Sequence, residues 1–365
     1  MAWPRRRTAQ SPEQKTVAQM RRALHHVLSG DLADAESALA AAVRADSASA
    51  EAYLPLANLY RARGEIGRAI QIHQNLLLRT DLDEALRHEA LLGLALDFRE
   101  GGFLRRAAAA FEELLEVEPR NLQALRELER LHVESGDWEG AIRVRRSIGR
   151  ADPATPRVLA HLWTGLGRER AKAGRATEAR QAFRRALGQD RRCAEAYLAL
   201  GDEKLREGRT RKAIGLWRRA LPLHPAIGNL IYPRLWEGYS VLDERTSFEA
   251  LLHAQLEREP DDREASIWLA RTVVHLGRVD EGLATLRRVL DRAPGSLPLY
   301  AEIGRILLRE KRDFEALKCF EELLDRLPLE RQRLHCRACG APDTELRWRC
   351  AQCGAWDSFG PASTD

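Results

Sequence analysis

The chain has 365 residues, 44% of them apolar, enough for two ordinary domains or one extended array with a sizeable core. Its 59 basic and 54 acidic residues leave a net charge of +5, only six of the basic residues are lysine, and the signs alternate in short blocks. That pattern describes a solvated helical surface rather than a nucleic-acid tract, and no uncharged stretch reaches the ~18 apolar residues of a membrane-spanning helix.

The N-terminus, "MAWPRRRTAQSPEQK", carries arginines but no apolar h-region, so it does not read as a secretory signal. The expected compartment is the cytoplasm. Cysteine usage agrees, because Cys193 and Cys319 are isolated and the remaining four have metal spacing rather than the look of a disulfide framework.

A repeat follows. "AYLPLANLYRARGEIGRAIQIHQNLLLRTD" from Ala52 aligns with "AYLALGDEKLREGRTRKAIGLWRRALPLHP" from Ala196. Each has an aromatic residue, Leu three positions later and then a small residue, Ala57 or Gly201, that lets two helices approach. Each has a middle glycine, Gly64 or Gly208, where a left-handed conformation ends the first helix at little cost. Ala69 or Ala213 stands where the helices should cross, and Pro225 closes a second helix that proline cannot continue. This spacing resembles the tetratricopeptide pattern. Nine copies begin near Thr16, Ala50, His88, Leu122, Ala160, Ala194, Asn229, Arg263 and Leu297. Spacings are 34 or 35 residues except for two of 38, where the extra four residues fit one more helical turn or a longer linker. The seventh copy departs most, with Asp243 in place of the turn glycine and Phe248 in place of the crossing alanine.

An array of this kind is quasi-one-dimensional, each helix pair burying its apolar face on its neighbours, and it is expected to curl into a superhelix with a concave partner-binding groove. The resemblance to the repeat family implies that positions 2, 5, 9 and 12 of each first helix face that groove. In copies two to five these include Asn58, Arg61, Arg99, Arg126, Arg130 and Arg168. An arginine-lined groove suits an acidic peptide segment, since guanidinium pairs bidentately with carboxylate.

The tail reads Cys336-x-x-Cys339-Gly340, ten residues, then Cys350-x-x-Cys353-Gly354. Two such knuckles converge four thiolates on one tetrahedral site suited to Zn or a single Fe. Four cysteines leave no open coordination position, so the metal should be structural and should supply folding energy to a segment too short to bury a core alone. Trp348 and Trp356 are expected to pack beside the second knuckle. No H-E-x-x-H, G-x-S-x-G, Walker or G-x-G-x-x-G motif is present, and "GLGRER" at Gly165 fails as a dinucleotide match, so the chain is not expected to be an enzyme.

Repeats and ribbon together resemble the lipopolysaccharide assembly protein B (LapB) family, most specifically in "EAYLPLANLYRARGEIGRAIQIHQNLL" (Glu51 to Leu77) and in the C-x-x-C-G tail with Trp348 before Cys350 and Trp356 after Cys353. The resemblance covers roughly Thr16 to Phe359. It implies an all-α tetratricopeptide-repeat superhelical solenoid with a small C-terminal rubredoxin-like zinc-ribbon domain. The segments expected are a disordered basic N-terminus (1–15), the repeat array (16–330), the metal domain (333–359) and a short tail (360–365). It further implies a non-catalytic adaptor at the cytoplasmic face of the inner membrane. Such an adaptor works with an FtsH-type membrane AAA protease and with lipid A biosynthesis enzymes to regulate lipopolysaccharide. Family members begin with a transmembrane helix, whereas here the first repeat starts near Thr16 and only "MAWPRRR" stands where that anchor would be; no membrane span is expected in this chain, any membrane contact being peripheral or through a partner, unless the start codon is assigned too late. The alternative is a soluble repeat protein whose zinc ribbon binds other proteins or nucleic acid. The balance of Arg337, Arg347 and Arg349 against Asp343, Glu345 and Asp357 disfavours nucleic acid. A homo-oligomer is compatible with either reading.

Overall fold

The turn glycines and crossing alanines mark out helical hairpins. A computed structural model of the chain describes residues 11–224, 227–326, 334–343, 350–353, 355 and 358–361, and among them are eighteen α-helices and three short strands. The chain divides into two units after His224. The first holds six hairpins: α1 (Pro12–Leu28) with α2 (Leu32–Ala45), α3 (Ala50–Ala62) with α4 (Ile66–Leu77), α5 (Glu84–Glu100) with α6 (Leu104–Val117), α7 (Leu122–Ser135) with α8 (Trp138–Ile148), α9 (Thr155–Lys172) with α10 (Ala176–Gln189), and α11 (Ala194–Arg206) with α12 (Thr210–Ala220). The second holds α13 (Gly228–Val241) with α14 (Arg245–Arg258), α15 (Arg263–His275) with α16 (Val279–Arg292), and α17 (Leu297–Arg309) with α18 (Asp313–Arg326), followed by β1 (Leu334–Cys336), β2 (Pro342–Asp343) and β3 (Phe359–Pro361).

Helix α1 begins at Pro12, ahead of the expected boundary at residue 16. Ser11 forms a reciprocal capping box with Gln14 and Pro12 sits in the first turn, where its missing N–H costs nothing. The extra four residues of the two long spacings form helix: α5 and α9 have 17 and 18 residues against 13 in α3 and α11. Residues 1–10 and Pro225 lie outside the described residues.

Each hairpin turn closes in the same way. The residue after the turn donates its N–H to a carbonyl five residues back, as Glu65 does to Tyr60 (2.9 Å) and Arg209 to Lys204 (2.9 Å). That geometry needs a positive φ at the residue between, and Gly64 (φ 78°) and Gly208 (φ 70°) provide it. The seventh and ninth turns keep the same bond, Glu244 to Tyr239 and Arg312 to Leu307, with Asp243 (φ 57°) and Lys311 (φ 58°) in the left-handed region.

The crossing residues Ala69 and Ala213 are fully buried, and so is Phe248 in the seventh repeat. At Gly201 a Cβ would lie 2.3 Å from Trp217 Nε1, so α11 can meet α12 only without a side chain there. Trp217 is itself completely buried and donates to Asp202 Oδ1 (3.1 Å).

Four residues after the crossing position the core takes a large apolar group in most repeats, such as Phe111, Phe183 and Trp217. Two repeats place a polar group there. His73 is fully buried with Nδ1 2.6 Å from Asp97 Oδ2, and Asp97 Oδ1 accepts from Arg61 Nη1 at 2.9 Å. Arg145 is buried against Glu129 and donates to Asp152 Oδ2 at 2.8 Å. Each polar side chain meets a carboxylate, as buried charge requires.

Candidate functional site

The ribbon is built on an antiparallel sheet of order β2-β1-β3, with His335 opposite Pro342 on one side and Gly360 on the other. Strand β1 delivers Cys336. The chain then turns back, with Gly340 (φ 74°) donating to the Cys336 carbonyl at 2.7 Å and the Cys336 amide donating to the Ala341 carbonyl at 2.9 Å. The second knuckle has the equivalent bond from the Cys350 amide to Ala355 O at 2.8 Å.

The four sulfurs converge. Cys336 Sγ lies 3.6 Å from Cys353 Sγ and Cys339 Sγ 3.7 Å from Cys350 Sγ, and all four lie within 4.8 Å of one another. These separations are far too long for disulfides. A tetrahedron with metal–sulfur bonds of 2.3 Å has sulfur–sulfur edges of about 3.8 Å, so the cysteines fit one tetrahedral ion. His335, the neighbour of Cys336, is not in the converging set. Cys336 and Cys350 are buried while Cys339 and Cys353 are exposed.

The electrostatics point the same way. The Ser358 hydroxyl at 3.2 Å, aided by the amides of Ala338 and Cys339, brings the Cys336 thiol down to about 6. The Cys353 and Gln352 amides lower Cys350. At Cys339 the Ala341 amide acts in the same direction, but the sulfurs of Cys353, Cys336 and Cys350 and burial push the thiol up to about 12. Amides aimed at sulfur favour thiolate, while four thiolates this close repel one another, and a bound cation removes the conflict. One metal ion, Zn or Fe, is therefore the group that Cys336, Cys339, Cys350 and Cys353 are positioned to hold. Trp348, Trp356 and Gly354 lie outside the described residues. The remaining cysteines, Cys193 and Cys319, are buried, and burial raises both thiols, as befits small core residues.

Most of the expected groove arginines are paired. Arg61 holds Asp97 (2.9 Å), Asn58 Oδ1 (2.7 Å) and the Gly93 carbonyl (3.2 Å). Arg99 pairs with Glu127 and Glu100, Arg130 lies 3.5 Å from Glu127, and Arg168 pairs with Glu195 at 2.6 Å. Arg126 is exposed; with the Ala154 amide and Arg145 acting more strongly, it helps hold the Asp152 carboxyl below its ordinary value. These pairs bring acids beside the expected groove arginines. Asp97, Glu127 and Glu195 sit on the next first helix of the array, 27 to 36 residues away. Inspecting positions 2, 5, 9 and 12 within single helices misses Asp97 and Glu127, because those carboxylates stand at positions 10 and 6.

Hairpins that cross at small residues, together with a four-thiol ribbon, define a helical-repeat protein carrying a structural metal site. The chain belongs to the tetratricopeptide repeat family, whose model matches residues 20–85, 92–156 and 164–226; a second tetratricopeptide model matches 249–303. The tail, residues 335–361, matches the rubredoxin metal binding domain.

Along most of its length the chain is similar to the protein named Lipopolysaccharide assembly protein B. The Escherichia coli K12 relative is 24% identical over 323 residues, covering 87% of this chain and 82% of that protein. The Haemophilus influenzae relative is 25% identical over 316 residues, covering 86% and 79%. Among solved structures, a tetratricopeptide repeat protein from Parabacteroides merdae is 17% identical with a TM-score of 0.38, covering 71% of this chain and 99% of that one. Among the described residues no helix is long and apolar enough to cross a membrane.

Proposed function

We propose that this protein is a non-catalytic scaffold of the lipopolysaccharide-assembly type. The observation that carries the reading is the pairing of a repeat array with a four-cysteine ribbon in one chain, matched over 87% of its length to proteins of that name. Repeat hairpins present long ordered surfaces for protein partners and offer no catalytic constellation of their own.

In this reading the array binds client and partner proteins at the cytoplasmic face of the inner membrane and thereby controls lipid A and lipopolysaccharide biosynthesis. The partners proposed are an FtsH-type membrane AAA protease and lipid A biosynthesis enzymes. Segment 16–330 is the binding array and 333–359 the metal domain. Asn58, Arg61, Arg99, Arg126, Arg130 and Arg168 form one partner surface, on which an acidic segment competes with the internal carboxylates for guanidinium. The ribbon, folded by its metal, is a second contact surface. A closed four-cysteine site supplies folding energy and no open coordination position.

The test is a tagged pull-down from gently solubilised native cells, read by mass spectrometry. Recovery of the protease or of lipid A enzymes is the expected result. Recovery of soluble proteins or ribonucleoprotein alone would refute the lipopolysaccharide assignment and favour a soluble repeat protein with a different client.

A further inference from the structure

The seventh repeat departs from its neighbours in a correlated way. Where α11 and α17 carry Gly201 and Gly304 against the paired helix, α13 carries Trp236; where α12 and α18 cross at Ala213 and Ala316, α14 has Phe248. Two small residues have become two large aromatic ones, packed with ring centroids 6.0 Å apart and tilted by 53°. Phe248 is fully buried, whereas Trp236 stays half-buried, 6.4 Å from Trp268 and edge-on to His275 at 5.2 Å.

The result is a cleft of roughly 450 Å³ whose lining includes Trp236, Trp268, Ile306, Arg271, Arg305 and Arg309, together with Glu302 and His275. All of these side chains come from α13, α15 and α17, the first helices of three consecutive hairpins. Arg271 lies over the Trp268 ring at 4.9 Å and grips Glu302 through two bonds of 2.7 Å. Arg305, largely exposed, reaches the same carboxylate at 3.4 Å. Arg309 is exposed and has no carboxylate within ion-pair distance among the described residues. Arg271 and Arg305 thus share one carboxylate, and Arg309 beside them in the cleft pairs with none among the described residues. In repeats two to five the arginines Arg61, Arg99 and Arg168 each have an acid.

We infer that this cleft is a docking site for a peptide segment of a partner protein that presents a large apolar side chain beside one or more carboxylates; the inference rests on the scaffold reading above. The tryptophans and Ile306 would take the apolar group, and the under-neutralised guanidiniums would take the acid. Tryptophan and arginine together in a partly desolvated pocket are the composition of an interface hot spot. Arg271 and Arg305 stand at the same position of successive repeats, as do His275 and Arg309. Such repetition suits a chain that runs across several helices better than a single small ligand.

The test uses the full chain with its metal bound. A random peptide library displayed on phage is selected against it, and the enriched peptide is labelled and titrated by fluorescence anisotropy. The expected consensus has Phe, Leu or Trp within two residues of Asp or Glu. Arg305→Glu with Arg309→Glu should weaken binding by about tenfold or more, since two exposed attractions become repulsions, while leaving the helical spectrum unchanged. Trp236→Leu, as a second variant, should weaken binding of the same peptide. A basic consensus, no enrichment, or unchanged affinity in the charge-reversed protein would overturn the inference. So would a self-association that the same reversal abolishes, since the cleft would then hold a second copy. The pull-down separates the two claims. If wild type and the reversed variant recover the same lipid A enzymes, the scaffold reading stands and this site falls. If neither recovers them while peptide binding depends on Arg305 and Arg309, the site stands and that reading falls.

Discussion

The buried pair in the second and third repeats makes a quantitative prediction. Asp97 and His73 are both fully buried, and Asp97 serves two partners, His73 at 2.6 Å and Arg61 at 2.9 Å. Asp97→Ala would strand His73 in the core. Arg61 would fare better, because it is 19% exposed and keeps Asn58 and the Gly93 carbonyl. Removing one member of a buried pair costs about 3–5 kcal/mol, and the residual hydration of Arg61 places this case near about 3 kcal/mol. The double change His73→Phe with Asp97→Leu should recover most of that loss, to within about 1–2 kcal/mol of wild type, because an apolar replacement removes both desolvation penalties. Phenylalanine already fills the equivalent position at Phe111 and Phe183. Urea denaturation followed by circular dichroism would measure the difference. Because repeat arrays unfold in parts, amide exchange in α4 and α5 would localise it. A loss below about 1 kcal/mol in Asp97→Ala, or a double variant no better than the single one, would refute the claim that the cost lies in the buried partner left unpaired.

Lys311→Gly should stabilise the ninth hairpin by about 0.5–1 kcal/mol, because Lys311 is held at φ 58° and the left-handed penalty it removes exceeds the entropy that glycine adds to the unfolded chain; a lower urea midpoint would contradict this. Cys350→Ser should disorder residues 335–359 while leaving most of the helical signal, as read by limited proteolysis beside far-ultraviolet dichroism; collapse of the whole helical spectrum would show that the ribbon is not separable. Burial raises the Glu302 carboxyl, but the hydrogen bonds and charge of Arg271, with Arg305, outweigh it and hold the group below its ordinary value of 4.5. A depressed folded pKa contributes stability above the unfolded value and loses it as pH falls through the folded one. The helices of the second unit should therefore weaken below pH of about 4.5, and Glu302→Gln should show a shallower dependence there; identical slopes would count against the pair.

The parts of the fold that depend on local chemistry were legible. Gly64 and Gly208 announce their turns because a positive φ selects glycine, and Ala69 and Ala213 announce a crossing because a small side chain lets two helices approach closely. The tetracysteine site was legible for the same reason, since each C-x-x-C-G knuckle closes on itself. Lys311 escaped notice because lysine carries no signature of the left-handed region, and the ninth turn is held there by its neighbours' hydrogen bonds. The aromatic cleft escaped because Trp236 reads as an error in a repeat until Phe248, Trp268 and His275 are brought beside it. The ion pairs between repeats escaped for a related reason. Arginines at groove positions look free in a single helix, and their partners stand a full repeat away.

That arrangement decides where an acidic partner gains most. Arg61–Asp97, Arg99–Glu127 and Arg168–Glu195 each join consecutive first helices, so they act as ties between repeats. Exposed pairs of this kind contribute about 0–1 kcal/mol each, and the buried Asp97 considerably more when one side is removed. A peptide carboxylate arriving at these arginines must displace a carboxylate already in place, so it gains only the difference between two similar contacts. At α15 and α17 the balance differs, because Glu302 is the one carboxylate that lines the cleft with Arg271, Arg305 and Arg309, it is paired with the first two only, and Trp236 and Trp268 supply apolar surface beside them. An incoming acid there adds a pair without breaking one. In a chain with 59 basic and 54 acidic residues, the places where neutralisation is incomplete are the ones that can discriminate among partners.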